Sequence, residues 1–135
     1  MGASKSQSHD LFDERKATQA ASWLLLRAGG FLSRLKLMHL LYLAERCSLE
    51  SHAVTLSGDL LVSTRDGPAL ARIRNLVNGA NLAINGVWAR LIVNSFDQML
   101  ALRNPDELES PETQLSALSD SDAEILDEVD RKSVV

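Results

Sequence analysis

The side chains able to do covalent or acid–base chemistry are few and scattered. The three histidines, His9, His39 and His52, stand at no metal-ligand spacing from one another and beside no cysteine pair. Cys47, the sole cysteine, lies in an apolar helical run and reads as a small buried hydrophobe, not a nucleophile. A single cysteine also rules out an intramolecular disulfide and fits a reducing compartment. His39 and Glu45 are six residues apart, so on one helix their side chains point in different directions and form no acid–base pair. Phosphate-cradling glycine loops, the GxSxG elbow and HExxH are all missing. The expectation is a protein that is not an enzyme and uses no metal or cofactor.

What remains is recognition chemistry. Lys36, His39, Tyr42 and Arg46 recur at i, i+3, i+6 and i+10, a polar stripe on an otherwise apolar segment. The plain reading is a solvated stripe. The sharper one is a docking surface, because Arg and Tyr are enriched where binding energy concentrates. Arg65, Arg72 and Arg74 form a second basic group around Asp66-Gly67-Pro68. They could meet phosphate, or an acidic partner protein. The formal net charge of −4 disfavours broad attraction to nucleic acid, which depends on neutralising phosphates. Asp59 and Asp66 have readings without catalysis. Asp59 follows Gly58 in a turn, and Asp66 can cap a helix that Pro68 opens, with Gly67 permitting the corner.

These residues need elements to position them. With 135 residues, 45% of them hydrophobic and 24% charged, the chain suits one domain at residues 10–135 behind a polar lead at 1–9. The lead has no apolar signal segment, and no apolar run approaches a membrane span, so a soluble cytoplasmic protein without membrane contact is expected. A helix is predicted from about Asp10, its cap, to Ala28. Ala17, Ala20, Ala21, Leu24 and Ala28 make a small-residue face, and Gly29-Gly30 stops it. The helix at 34–49 is apolar nearly all round and belongs at the centre. Residues 54–64 read as strand-like, interrupted at Ser57-Gly58-Asp59, and a helix follows Pro68 until Asn78-Gly79. Residues 80–86 read as loop. Val87–Val93 and Gln98–Leu102 read as a strand hairpin, and 104–117 as an internal linker. Ser119 and Asp122 stand at capping-box spacing before a last helix carrying Ile125, Leu126 and Val129. The fold class is α+β and mainly helical, with a central hydrophobic helix, surrounding helices and short antiparallel strands.

In this order the segments resemble the Panacea domain family of SocA-like antitoxins and phage-associated proteins. The matching stretches are DERKATQAASWLLLRAGG (13–30), LKLMHLLYLAER (35–46), SGD (57–59), DGPALARIRNLVNG (66–79), the Trp88 segment and LSDSDAEILDEV (118–129). The resemblance implies a structural turn unit of Gly58, Asp59, Asp66, Gly67 and Pro68. It also implies a protein-binding module that neutralises a cognate toxin by direct contact, with an ATP-dependent protease as a further partner if it acts as a degradation adaptor. The stripe argument places the partner on Lys36, His39, Tyr42, Arg46, Arg65 and Arg72. The alternatives are an inhibitor of a host or defence complex encoded by a phage or mobile element, and a nucleic-acid-binding regulator acting through the arginine group.

Three departures from the family pattern carry expectations. His39 replaces a second basic residue. Ala53 and Thr55 replace a glycine and a proline before the Gly-Asp pair, which should reshape the approach to the strand. The chain stops at RKSVV, where related chains continue. Ile125, Leu126 and Val129 are therefore expected to be partly uncovered, a basis for a homodimer or for partner docking.

Overall fold

Helix ends in this chain are set by a few side chains that satisfy orphan backbone groups, and they fix where each element begins. A computed structural model describes residues 12–65, 67–79, 86–95, 97–104 and 116–133. Helix α1 spans Glu14–Arg27, and Asp13 caps it by accepting from the Lys16 N–H at 3.0 Å. The predicted cap, Asp10, lies outside the described residues; the extended backbone of Asp13 starts the helix there instead. At the other end Gly30 N–H donates to Leu25 O and Gly29 N–H to Leu26 O. Both glycines have positive φ, so the chain reverses as a Schellman motif requires.

The reversal leads directly into strand β1, Phe31–Ser33, which the sequence reading missed. Ser33 then caps α2, Arg34–His52, three residues longer than predicted. This helix ends on Ala53, which sits at φ 63°, a left-handed conformation that costs a residue with a Cβ about 1 kcal/mol. A glycine in the family pattern at this position has a physical reason: the turn needs a left-handed residue. Thr55 also differs usefully from the family proline, since its hydroxyl accepts from the Gly58 N–H at 3.1 Å and helps close the turn.

Strands β2, Leu61–Thr64, and β3, Gly67–Leu70, form an antiparallel hairpin, with Leu61 opposite Leu70 and Thr64 opposite Gly67. Here the sequence reading is corrected: Pro68 lies inside β3 and does not open a helix. Pairing explains why proline is tolerated. Ala71 N–H donates to Leu60 O, so residues 60 and 71 are a bonded pair, and bonded pairs alternate along the ladder. Ser63 and Pro68 therefore form a non-bonded pair, where the missing N–H would have pointed away from β2. Gly67 supplies the φ of 116° that the hairpin corner demands.

Helix α3 is Ala71–Val77, ended by Asn78 and Gly79 as predicted. Val87–Leu91, predicted as a strand, is the short helix α4. Its Trp88 is buried. The strand pair is nevertheless present in shorter form: β4, Ile92–Asn94, pairs with β5, Met99–Leu102, which also pairs with β1. The resulting three-stranded sheet has the order β1-β5-β4. The predicted loop at 80–85 and residues 105–115 of the predicted linker lie outside the described residues. Helix α5, Asp120–Lys132, begins with the predicted capping box of Ser119 and Asp122.

Helix α2 is central, touching α1, α3, α5, β1 and β3. Leu37, Leu40, Leu41 and Ala44 meet Ala17, Ala20, Ala21 and Leu24 of α1 in one core, together with Ile73, Val77 and Leu100. The small residues on α1 permit this close approach; Ala28, predicted on that face, is exposed. Ile125, Leu126 and Val129 are buried in the same core. The expectation that they would be uncovered is thus overturned, because α5 packs directly against α2 and α1. The fold is α+β with short antiparallel strands, and none of its described helices is long and apolar enough to cross a membrane.

Candidate functional site

The polar stripe of α2 divides among three places. Lys36 turns toward α5 and donates from Nζ to Ser133 O at 2.7 Å, a cation at the negative end of that helix. Arg46 pairs with Glu50 at 3.2 Å and lines a cleft between α2 and α5 with Leu43, Cys47 and Val129. The Glu50 carboxylate, and Tyr42 after it, hold the Arg46 guanidinium above its ordinary range. Only His39 and Tyr42 face the hairpin.

There they form one wall of a groove of about 360 Å³. Leu35, Met38, His39 and Tyr42 come from α2; Thr64, Pro68 and Ala69 come from the hairpin, and Arg74 from α3. The α2 residues recur at i, i+3, i+4 and i+7, so a search for a continuous face would have found Leu35 and Met38, which a search for polar residues passed over. Leu35 is 68% exposed. Arg74 has no ion pair, and His39 has no hydrogen bond, among the described residues. The groove thus offers an apolar floor with an imidazole and an unpaired guanidinium.

The other predicted contact residues lie elsewhere. Arg72 reaches back toward the start of α1, its guanidinium 5.8 Å from the centroid of the Phe12 ring. Arg65 is exposed beside the hairpin corner and does not line the groove. The basic group read from sequence therefore does not converge on one ligand-sized site.

A second polar cluster ties α2 and α3 to the turn at 55–59, and it is closed. Glu45, 2% exposed, accepts from Leu56 N–H at 2.8 Å, from Ser57 N–H at 3.1 Å and from the Ser57 hydroxyl. Burial pushes its carboxyl above the ordinary range despite these bonds, and the nearby Asp59 charge adds to the shift. Asp59, 4% exposed, accepts from the N–H groups of Leu60, Arg72 and Ile73 at 2.7–2.9 Å. It does the capping work that the sequence reading gave to Asp66, whose position lies outside the described residues. Leu70, at the cap position itself, makes no such bond. Gly58, at φ 80°, and Asp59 both lie in the turn, and Asp59 reaches N–H groups thirteen and fourteen residues on as well as that of its neighbour Leu60. Glu45 was missed. Its signal was a carboxylate at the spacing of Leu41 and Ser48, on the face of α2 that also carries Ala44.

Both carboxylates are fully engaged with backbone donors, which leaves neither free to move a proton to a substrate. Among the described residues no group of three or more His, Cys, Asp or Glu could hold a metal ion.

No curated protein and no solved structure matches this chain. A family model does: the one described as antitoxin SocA-like, Panacea domain, matches residues 37–133, from the core of α2 through α5.

Proposed function

Since the chain belongs to the SocA-like antitoxin, Panacea domain family, we propose that it is an antitoxin-type binding module that neutralises a toxin protein by direct contact through the groove between α2 and the hairpin. The observation that carries this reading is the groove itself: apolar side chains open to solvent, flanked by an arginine with no ionic partner among the described residues. An exposed apolar floor gains by being covered, and an unpaired guanidinium selects a carboxylate-bearing occupant. Neutralisation by occlusion needs no catalytic residue in this chain, and the reading assigns none.

The toxin is expected to place an apolar side chain between Leu35, Met38 and Tyr42 and an acidic one against Arg74. Growth rescue tests this. The protein that co-purifies from the native host is expressed alone, where it should arrest growth, and then with this chain, which should restore it. Tyr42→Ala should weaken the complex by about 2 kcal/mol, roughly 30-fold, the scale of an aromatic hot spot. Arg74→Glu should weaken it comparably by setting like charges against each other. Rescue undiminished by both substitutions would show that the groove is not the toxin's seat.

A further inference from the structure

The walls of the groove restrict the form of whatever fills it. On the α2 side Leu35, Met38, His39 and Tyr42 stand at i, i+3, i+4 and i+7, a strip about 10 Å long. That spacing is the seam one helix offers another, with the two axes crossing at roughly +20°. Neither wall offers an occupant a ladder of backbone hydrogen bonds. Along α2 the N–H and C=O groups are spent within the helix. Bonded pairs alternate along the hairpin from Leu60–Ala71, so in β3 the groups of Pro68 and Leu70 turn away from β2. Pro68 has no N–H to give, and Leu70 is buried. Leu61 and Ser63, whose backbone groups turn away from β3, do not line the groove. An extended segment would therefore leave its own backbone unpaired against Leu35 and Met38. A helix, bonded within itself, avoids that cost.

Charge decides whose helix it is. The lining residues include Arg74 and no carboxylate, and Arg74 has no ion pair among the described residues. A fitting helix needs an exposed apolar row and, beside it, an acidic side chain free to pair. No described helix of this chain has both. The one carboxylate of α1, Glu14, is buried, and α3 and α4 contain none. On α2 the exposed carboxylate is Glu50, which Arg46 already holds. Helix α5 is acidic but buries Ile125, Leu126 and Val129. A second copy therefore supplies no described helix that fits. Resting on the antitoxin reading above, we propose that the groove receives an amphipathic helix of the toxin, laid along α2. Its apolar side chains come at i, i+3 or i+4, and i+7, and an acidic residue on its flank meets Arg74.

Photocrosslinking to the co-purified toxin from the exposed position 35, as Leu35→benzoylphenylalanine in the full chain, finds the toxin segment that enters the groove. Alanine scanning of that segment, with affinity read by calorimetry, then reads its form. A helix should show losses of ~10-fold or more at positions three or four apart and less than ~2-fold between them, whereas an extended segment shows them at alternate positions. Replacing the segment's acidic residue by lysine should also weaken binding ~10-fold, and Arg74→Glu in this chain should restore most of that loss. The proposal is overturned by losses at alternate positions, by crosslinks to a second copy of the chain, or by a lysine variant that Arg74→Glu does not rescue. In each of those cases a complex still weakened by Tyr42→Ala leaves the groove as the toxin's seat. A complex indifferent to both Tyr42→Ala and Arg74→Glu overturns the seat and the helix together.

Discussion

The turn at residues 55–59 and the hairpin at 61–70 adjoin in sequence and flank the same two helices, yet they treat polar groups in opposite ways. In the turn, two buried carboxylates gather the backbone N–H groups of Leu56, Ser57, Leu60, Arg72 and Ile73. Beside the hairpin, the imidazole of His39 and the guanidinium of Arg74 have no such use among the described residues. Polar residues consumed inside the fold define architecture. Those left over, next to exposed apolar side chains, define the surface available to partners.

If that contrast holds, the largest losses of stability should come from the turn. Asp59→Ala strands the N–H of Leu60 and two N–H donors at the start of α3, both 2.9 Å from the lost carboxylate. It should cost about 2–4 kcal/mol in urea unfolding, combining a lost cap with buried unsatisfied donors. Tyr42→Ala and Arg74→Glu, in the groove, should move stability by no more than about 1 kcal/mol while carrying the binding loss given above. Equal destabilisation at both sites would erase the distinction.

Glu45 sharpens it further through pH. Its folded carboxyl is held above the ordinary value of 4.5, so between the two values the folded state binds a proton that the unfolded state has released. Stability from this group therefore rises as pH falls from neutral through the raised value, and levels off below the ordinary one. The lowered carboxyls of Asp127 and Glu128 act in the opposite sense, losing their contribution on acidification. They cancel when wild type is compared with Glu45→Gln. Urea unfolding of that pair should show Glu45→Gln less stable at neutral pH by about 1–3 kcal/mol, because an amide nitrogen now faces backbone donors. The gap should widen toward acid; a gap independent of pH would refute the assignment.

The smallest expected effect has the opposite sign. Ala53→Gly relieves the left-handed strain at the end of α2. It should stabilise the protein by about 0.5–1 kcal/mol, read as a raised Tm.

Much of this molecule was legible from local chemistry. The central helix, the Gly29-Gly30 stop and the Ser119 capping box are written in contiguous residues, and each was found where expected. The errors fell where distant residues decide. Pro68 reads locally as a helix opener, but the ladder register to β2 makes it a strand residue. Val87–Leu91 has strand-like composition, yet the core takes Trp88 from a helical turn. Asp59 caps a helix that starts a dozen residues later, which no local pattern reports. In the site, polarity along α2 does not report which way a side chain faces. Lys36 and Arg46 share a polar stripe with His39 and Tyr42 yet end near α5, whereas the apolar Leu35 and Met38 share the groove with that pair.

The central claim is that the partner sits on the groove and not on the rest of α2. Amide exchange of this chain, free and in complex with its co-purified toxin, measures that most directly. The account predicts that slowing on binding concentrates at residues 35–42 and 67–74, with α5 and the 55–59 turn unchanged. Slowing confined to α5 and the Cys47 side of α2 would place the partner in the other cleft and contradict it.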